Sequence, residues 1–337
     1  MKRFFLFLLT VYSMFSLNAQ ELSESSEADF QVALNRAGNG VVIIKYIGRS
    51  AQVRIPSHIQ GFPVVEIGES AFDREPPFAS NVSNMTSISQ VIIPDGVTTI
   101  VRYAFSKQDI SILVLPNSVV SIGEGAFKGC INLTTVTLSS SLTNIGGNTS
   151  LSGGEGVFSN CNNLSNVIIP NGVTIIGISM FSNCYNLKEI IIPESIREIR
   201  NNAFEIDVSW YVENTGFGLT SIIFNGNNLR TIGNYAFKNT MFTDFIVPEG
   251  VTQIGDNAFA DCFYLKSITL PSTITTIGTL AFLRCISLET VIIPESVTRI
   301  TFRTNPFISG SAFSGCISLT LASQAVLRRV GWNGNIQ

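Results

Sequence analysis

Charged side chains are scarce in this sequence. Asp, Glu, Lys and Arg make up 13% of its 337 residues, which is about half of their share in an ordinary soluble domain. The charges nearly balance, with a formal net charge of −3 at pH 7. Because a nucleic-acid-binding protein needs a basic face to meet the phosphate backbone, we predict no nucleic-acid partner.

Residue types that carry catalysis or bind metals are also few. His58 is the single histidine, and no cysteine or second histidine lies near it at the spacing of a metal site. The sequence has no Walker motif, no HExxH and no GxSxG. The paired carboxylates of a glycosidase have no local signature, so a glycan-degrading enzyme remains an alternative. We predict a protein that is not an enzyme and that uses no metal and no cofactor.

Long apolar runs are absent beyond residue 20, where no segment approaches the roughly 18 residues that span a membrane. The start of the chain differs, because Lys2 and Arg3 precede an apolar segment from Phe4 to Leu17, followed by the small residue Ala19. This order is typical of a secretory signal peptide. We predict that residues 1–19 are a signal peptide and that the mature chain, without a membrane span, is secreted or held at the cell surface. A retained N-terminal anchor is the alternative.

What the sequence has in abundance is repetition. The 23 residues from Pro248 to Leu270 match the 23 from Pro271 to Ile293 at the Pro, Ile-Gly, Ala-Phe, Cys and Leu positions. A fixed period of about 20–50 residues indicates a solenoid. The central phenylalanine occurs ten times, and in the regular copies a Pro stands 11 residues earlier. These repeat phenylalanines are Phe72, Phe105, Phe127, Phe158, Phe181, Phe204, Phe237, Phe259, Phe282 and Phe313.

Each repeat predicts one coil of mainly β structure. The β-branched triplet before the Pro, such as Ile190 to Ile192, favours a short strand, and the Pro ends the strand because it has no N–H to donate. The Ala-Phe pair places one ring inside the coil. A single coil cannot bury enough apolar surface to fold alone. We therefore predict a solenoid of about ten 23-residue repeats with one parallel sheet face and a cap at each end.

The repeat pattern also predicts the organisation of the chain. The predicted parts are an acidic leader with an N-terminal cap at residues 20–52, the solenoid at residues 53–321 and a C-terminal cap at residues 322–337. Within the first cap we expect a short helix over residues 29–37 and strands over residues 41–47 and 51–55. In the last cap we expect a short helix that includes Ala325 and Arg329 and covers the final coil together with Trp332.

Four insertions break the period, and insertions in a solenoid emerge as loops where partners are often met. The insertion that contains Trp210 and Tyr211 is the best candidate, because exposed aromatic rings anchor interfaces. The two rings could instead fold back and cover the coil. The insertions occupy residues 73–87, 146–157, 205–218 and 301–311.

A second set of candidate ligand-binding residues follows from the strand pattern. The outer two residues of each pre-Pro triplet point inward, so the middle residue points outward, which predicts a stripe of mostly β-branched side chains along the sheet. Such a stripe could exceed the apolar patch that is normal for a soluble monomer, or it could serve only the strand propensity of the sheet. The candidate ligand-binding residues of the stripe are Ile168, Ile191, Ile223, Ile246, Thr269 and Ile292.

Six cysteines in an exported chain raise the question of disulfides. All six stand three residues after a repeat phenylalanine, in two groups of three consecutive copies. An odd group cannot pair completely, although one bridge per group is geometrically possible between adjacent coils. We predict stacked, buried thiols that act as small apolar side chains.

The pattern of Pro, Ile-Gly, Ala-Phe, Cys and Leu resembles the BspA-like leucine-rich repeat family. The resemblance implies a right-handed leucine-rich-repeat coil and carries no catalytic residue. It also implies an exported surface protein of bacteria or some protists, associated with adhesion to host matrix proteins and other cells. Two copies depart from the pattern at the Pro position, where Ser139 and Asn225 stand. We expect weaker turns there.

Together these features predict a secreted or surface-exposed binding protein. Its partner would be a protein or glycoprotein of the extracellular matrix or of a host or neighbouring cell. The alternative is a structural cell-envelope protein, or a self-assembling protein that uses the stripe for contacts between copies.

Overall fold

The computed structural model describes residues 22–73, 86–146, 154–208, 217–302 and 310–333. In these ranges the chain is a stack of coils built from short, mostly parallel strands, and one α-helix follows near the C-terminus. The predicted repeat solenoid of mainly β structure is confirmed. The predicted signal peptide, residues 1–19, lies outside the described residues.

One side of the coils carries the predicted strands, which we call the long ladder. Each strand has three or four residues and pairs in parallel with at least one neighbour, as Thr135–Thr137 does with Ile112–Val114 and with Asn166–Ile168. Among the described strands, pairing is interrupted between Gln90–Ile92 and Ile112–Val114, between Asn166–Ile168 and Glu189–Ile192, and between Ser221–Phe224 and Asp244–Ile246. The strands of the long ladder are Gln52–Arg54, Gln90–Ile92, Ile112–Val114, Thr135–Thr137, Asn166–Ile168, Glu189–Ile192, Ser221–Phe224, Asp244–Ile246, Ser267–Thr269 and Thr290–Ile292.

A second parallel ladder, which we did not expect from the sequence, runs along another side of the coils. Its strands have two residues each, so the prediction of one sheet face is incomplete. Two residues are too short a run to show a strand period, and only the neighbouring coils supply their hydrogen-bond partners. These strands are Thr99–Ile100, Ser121–Ile122, Asn144–Ile145, Ile175–Ile176, Glu198–Ile199, Thr231–Ile232, Gln253–Ile254, Thr276–Ile277 and Thr301–Phe302.

The N-terminal segment covers the first coil as an antiparallel hairpin, so the helix predicted over residues 29–37 is wrong. A short 3-10 turn at Glu27–Asp29 leads into strand Phe30–Leu34, which pairs with Val41–Tyr46. The latter strand also pairs in parallel with Phe62–Ile67. Without Phe30–Leu34, the other edge of Val41–Tyr46 would leave backbone groups unpaired. Pairing with this edge therefore outweighs the local helical pattern of residues 29–37. The short strand His58–Ile59 completes this region.

The repeat phenylalanines form one continuous stack through the interior. Each ring is at most 2% exposed, and consecutive ring centroids lie 4.6 to 5.8 Å apart along the stack. This spacing follows from the distance of about 4.8 Å between paired strands, which leaves room for offset rings. Tyr46 stacks on Phe72 at one end, and Trp332 packs edge-on against Phe313 at the other.

Close approach of the coils explains the Gly that follows the repeat Ile. A Cβ atom on Gly278 would lie 2.4 Å from the backbone nitrogen of Asp256 in the preceding coil.

The turn around each Ala-Phe pair has a different requirement, because residues two before and two after the Phe adopt left-handed backbone angles. Asn257 and Asp261, on either side of Phe259, have φ of 53° and 61°. Asn and Asp tolerate this conformation better than most residues.

The C-terminal helix was predicted correctly and spans Leu321–Arg329. Thr320 caps its first turn by accepting a hydrogen bond from the Ser323 backbone N–H at 3.2 Å. Leu327 is fully buried, so the apolar side of the helix packs on the final coil. Across the described part of the chain, no helix has the length and apolar character to cross a membrane.

Candidate ligand-binding cleft

The predicted stripe is on the surface of the long ladder. Ile168, Ile223, Ile246 and Ile292 are 39%, 41%, 71% and 50% exposed. Ile191 and Thr269 are half-buried. The alternation is regular, because in strand Asp244–Ile246 the outer residues are exposed and the residue between them is buried.

One of the interruptions of the long ladder lies beside this stripe. Strand Ser221–Phe224 pairs with the strand before it, and Asp244–Ile246 pairs with the strand after it, but the two do not pair with each other. No backbone hydrogen bond joins residues 220–225 to residues 243–247, all of which the structure describes. The equivalent bond is present one coil later, where the Val247 N–H donates to the Thr269 carbonyl at 2.9 Å.

A cleft of about 620 Å³ opens at this interruption. Three of the predicted stripe residues, Ile223, Ile246 and Thr269, line it. Ile168, Ile191 and Ile292 are on the same face but do not line the cleft. The structure therefore brings together half of the predicted stripe in one concave surface.

At the cleft, inward-pointing residues of the long ladder are partly exposed to solvent. Ile222 and Phe224 are half-buried. Their equivalents one coil earlier, Ile190 and Ile192, are 1% and 2% exposed. The cleft thus reaches from the outer stripe toward the interior of the coil.

Two aromatic residues meet across the separated strands. Phe224 and Phe245 stand where the other strands of the long ladder have Val, Leu or Ile. Their ring centroids lie 6.2 Å apart with an interplanar angle of 76°, so the two rings meet edge to face across the interruption. Phe242 packs against Phe245 at 4.9 Å. We attribute the gap to this extra volume, because packed interiors do not absorb added atoms without moving the backbone.

Sequence reasoning missed Phe224, Asp244, Phe245 and Glu249 as lining residues of the cleft. A signal was nevertheless present. Asn225 replaces the repeat Pro directly after Phe224, and aromatic residues replace aliphatic ones in the same two coils. The departures from the repeat, rather than the repeat itself, mark the cleft.

The charge of the cleft is negative. Asp244 and Glu249 line it, and its described lining residues include no Lys, Arg or His. Hydrogen bonds from Ser267 and Thr243 lower the pKa of Asp244, and Lys266 adds a smaller effect. The Ser267 hydroxyl donates to Asp244 Oδ1 at 2.6 Å, and the Ser272 hydroxyl donates to Glu249 Oε2 at 2.8 Å. Both carboxylates are therefore oriented by the next coil.

The other predicted aromatic site is not described. Trp210 and Tyr211 lie outside the described residues, and their role stays a prediction.

The cysteines are free and buried, as predicted. Each Sγ donates a hydrogen bond to the carbonyl of the repeat phenylalanine one coil earlier, at 3.0 to 3.3 Å. Burial raises the pKa of Cys184, Cys161 and Cys285. A raised pKa keeps the thiol protonated and unreactive, so these residues pack the core.

In the ranges that the structure describes, no group of three or more His, Cys, Asp or Glu side chains is arranged to hold a metal ion.

Comparison with known proteins gives the family. The family model described as BspA type leucine rich repeat region matches residues 53–153, 78–209 and 214–320, with six copies. No curated protein matched the sequence.

Several solved structures of bacterial proteins match this chain at low sequence identity. A leucine-rich repeat protein of T. pallidum is 22% identical, covering 93% of this chain and 99% of its own, with a TM-score of 0.37. A leucine-rich repeat protein from Bacteroides ovatus is 20% identical, covering 89% and 93%, with a TM-score of 0.46. A leucine rich cell surface protein from Faecalibacterium prausnitzii is 20% identical, covering 82% and 96%, with a TM-score of 0.37.

The matched ranges cover most of the solenoid, and the stacked Ala-Phe turns and parallel ladders give that match a physical basis. This chain belongs to the BspA-type leucine-rich repeat family.

Proposed function

We propose that this protein is a secreted or surface-exposed binding protein whose solenoid binds a protein or glycoprotein of a host or neighbouring cell. The observation that carries the proposal is the row of exposed Ile side chains on the long ladder, together with the cleft that interrupts it. Exposed apolar side chains beside a concave surface are typical of binding sites. The export signal predicted at residues 1–19 and the adhesive role that the family resemblance implies support the same proposal.

The proposal is tested on the secreted form, which we predict to begin at Gln20. The protein is passed over immobilised matrix glycoproteins and over intact cells, and retention is measured by surface plasmon resonance and by cell-binding assays. Ile168→Lys/Ile191→Lys places two charges on the stripe. Ile317→Lys is the control, because Ile317 is an isoleucine that is 71% exposed but follows a Cys turn instead of forming part of a strand.

We expect retention of the wild-type protein and of the Ile317→Lys control. Lack of retention on every matrix glycoprotein and cell type refutes the proposed function. If the Ile168→Lys/Ile191→Lys variant is retained as strongly as the wild-type protein, Ile168 and Ile191 are not part of the binding site.

Self-assembly is the second candidate, favoured by the 71% and 50% exposure of Ile246 and Ile292 along one line of the sheet. Analytical ultracentrifugation distinguishes it from the first. Association that rises with concentration, and that is lost in Ile246→Lys, supports contacts between copies in place of a host ligand.

A further inference from the structure

We propose that the cleft binds a short, extended peptide segment of the partner in which basic and apolar side chains alternate. This inference rests on the proposed binding function and names the chemistry of the ligand. Three features of the cleft lead to it: an unpaired strand edge, a negative rim and an apolar wall.

The strand edge comes from the interruption of the long ladder. In a parallel ladder, alternate residues direct their backbone groups to opposite neighbours. Ser221 and Asn225 donate their backbone N–H groups to Lys188 and Ile192 in the preceding coil, at 3.0 and 2.9 Å. Ile222 and Phe224 therefore direct theirs toward the cleft, where no strand of the next coil pairs with them.

An open strand edge pairs with an extended peptide through main-chain hydrogen bonds. Strand Ser221–Phe224 has four residues, which is long enough to pair with about the same number of peptide residues. The main-chain bonds would supply affinity, and the side chains that line the cleft would supply selectivity.

Charge complementarity selects the residues of the peptide. Asp244 and Glu249 stand on the rim, and no basic side chain is among the described residues that line the cleft. Lys or Arg side chains of a bound peptide would meet these carboxylates, whose oxygens are held by Ser267 and Ser272. Ile223 and Ile246 would contact the intervening apolar side chains.

A glycan is a weaker fit. Sugar-binding sites use accessible aromatic faces, whereas Phe242 and Phe245 are only 1% and 2% exposed and Phe224 is half-buried. Phe245 is also covered edge-on by Phe224 and Phe242. The observations thus favour a peptide over a glycan.

The test uses the full secreted chain and a fluorescein-labelled hexapeptide, Lys-Ile-Lys-Val-Lys-Thr, with binding followed by fluorescence anisotropy. One control peptide carries Glu in place of each Lys. Another has N-methyl groups on alternate backbone amides, which removes one hydrogen-bonding edge without changing side chains. Circular dichroism and thermal melting establish that each protein variant is folded.

Two protein variants form a matched pair. Ile246→Lys places a positive charge in the cleft, whereas Ile317→Lys makes the same change at an isoleucine that is also 71% exposed but lies outside the cleft and outside the long ladder. We expect Ile246→Lys to raise the Kd at least tenfold and Ile317→Lys to change it less than twofold. Asp244→Asn/Glu249→Gln should raise the Kd by roughly two- to thirty-fold, since each exposed ion pair contributes about 0.2–1 kcal/mol. The N-methylated peptide should bind at least tenfold more weakly.

Several results overturn the inference. These are absence of hexapeptide binding at millimolar concentration, equal binding of the Glu peptide, or equal effects of the two Ile variants. Competition by a polysaccharide but not by the basic peptide assigns the cleft to a glycan. Retention of a matrix glycoprotein that Ile246→Lys leaves unchanged overturns the peptide cleft while the proposed function stands. Peptide binding without any retained host macromolecule supports the cleft and refutes the proposed function.

Discussion

Removing one ring from the middle of the phenylalanine stack tests how the solenoid is held together. Phe181 is 1% exposed, and its ring centroid lies 5.8 Å from that of Phe158 and 5.5 Å from that of Phe204. Phe181→Ala removes the side chain that fills its coil and one surface of contact from each neighbouring coil. A buried Phe→Ala change costs about 3–5 kcal/mol in free energy of unfolding, and this site should lie at the upper end because backbone coils on both sides resist collapse.

The loss of the Phe181 ring affects more than one coil. In a solenoid each coil is stabilised by its interfaces with its neighbours, so weakening two adjacent interfaces uncouples the N-terminal and C-terminal halves. We expect equilibrium unfolding in urea, followed by far-ultraviolet circular dichroism, to change from one transition to two. The wild-type protein should unfold at a higher midpoint than either transition of the variant.

Phe62→Ala is the matched control, because this phenylalanine is 40% exposed and is not part of the stack. Its cost should stay within about 0.5 kcal/mol, as for surface substitutions in general. If Phe181→Ala destabilises the protein no more than Phe62→Ala does, the stack does not hold the coils together and the reasoning is refuted.

Three further predictions concern the coil contacts. Gly278→Ala places a Cβ 2.4 Å from backbone atoms of the preceding coil, and we expect a loss of about 1–3 kcal/mol in urea unfolding; a neutral effect would contradict the close approach. The pKa of Cys184 is raised by burial, so the thiol loses its proton at a lower pH in the unfolded state than in the folded state. The free energy of unfolding should therefore fall as pH rises above about 8.5. Cys184→Ala should show a smaller fall, and an identical pH profile would exclude that thiol as a cause. Asp261, which is 6% exposed, bonds Arg284 at 2.6 Å; because Arg284 is largely exposed, a double-mutant cycle with alanine should give a coupling of about 1 kcal/mol or less, and a clearly larger value would show that solvent does not screen the pair.

Much of the solenoid could be predicted because its determinants are local and repeated. In the regular copies the repeat Pro predicted the end of the long-ladder strand, and the phase of the cysteines predicted free thiols beside the ring stack. The outward direction of Ile168, Ile223, Ile246 and Ile292 followed from strand alternation alone.

Other features depended on contacts between coils. The hairpin strand Phe30–Leu34 replaced a predicted helix because the edge strand Val41–Tyr46 needed a partner. The second ladder escaped prediction because two-residue strands carry no period of their own. The left-handed residues around each Ala-Phe turn vary in type, from Tyr103 to Leu280, so no single residue marks them.

The sequence by itself determined that this chain forms a repeat solenoid of mainly β structure, which residues face inward and which line the outer sheet. Only the tertiary structure decided that Ile223, Ile246 and Thr269 share a cleft while Ile168 and Ile292 do not. The physical reason is that the repeat specifies one coil at a time, whereas the spacing of two coils depends on how Phe224 and Phe245 fit together between them.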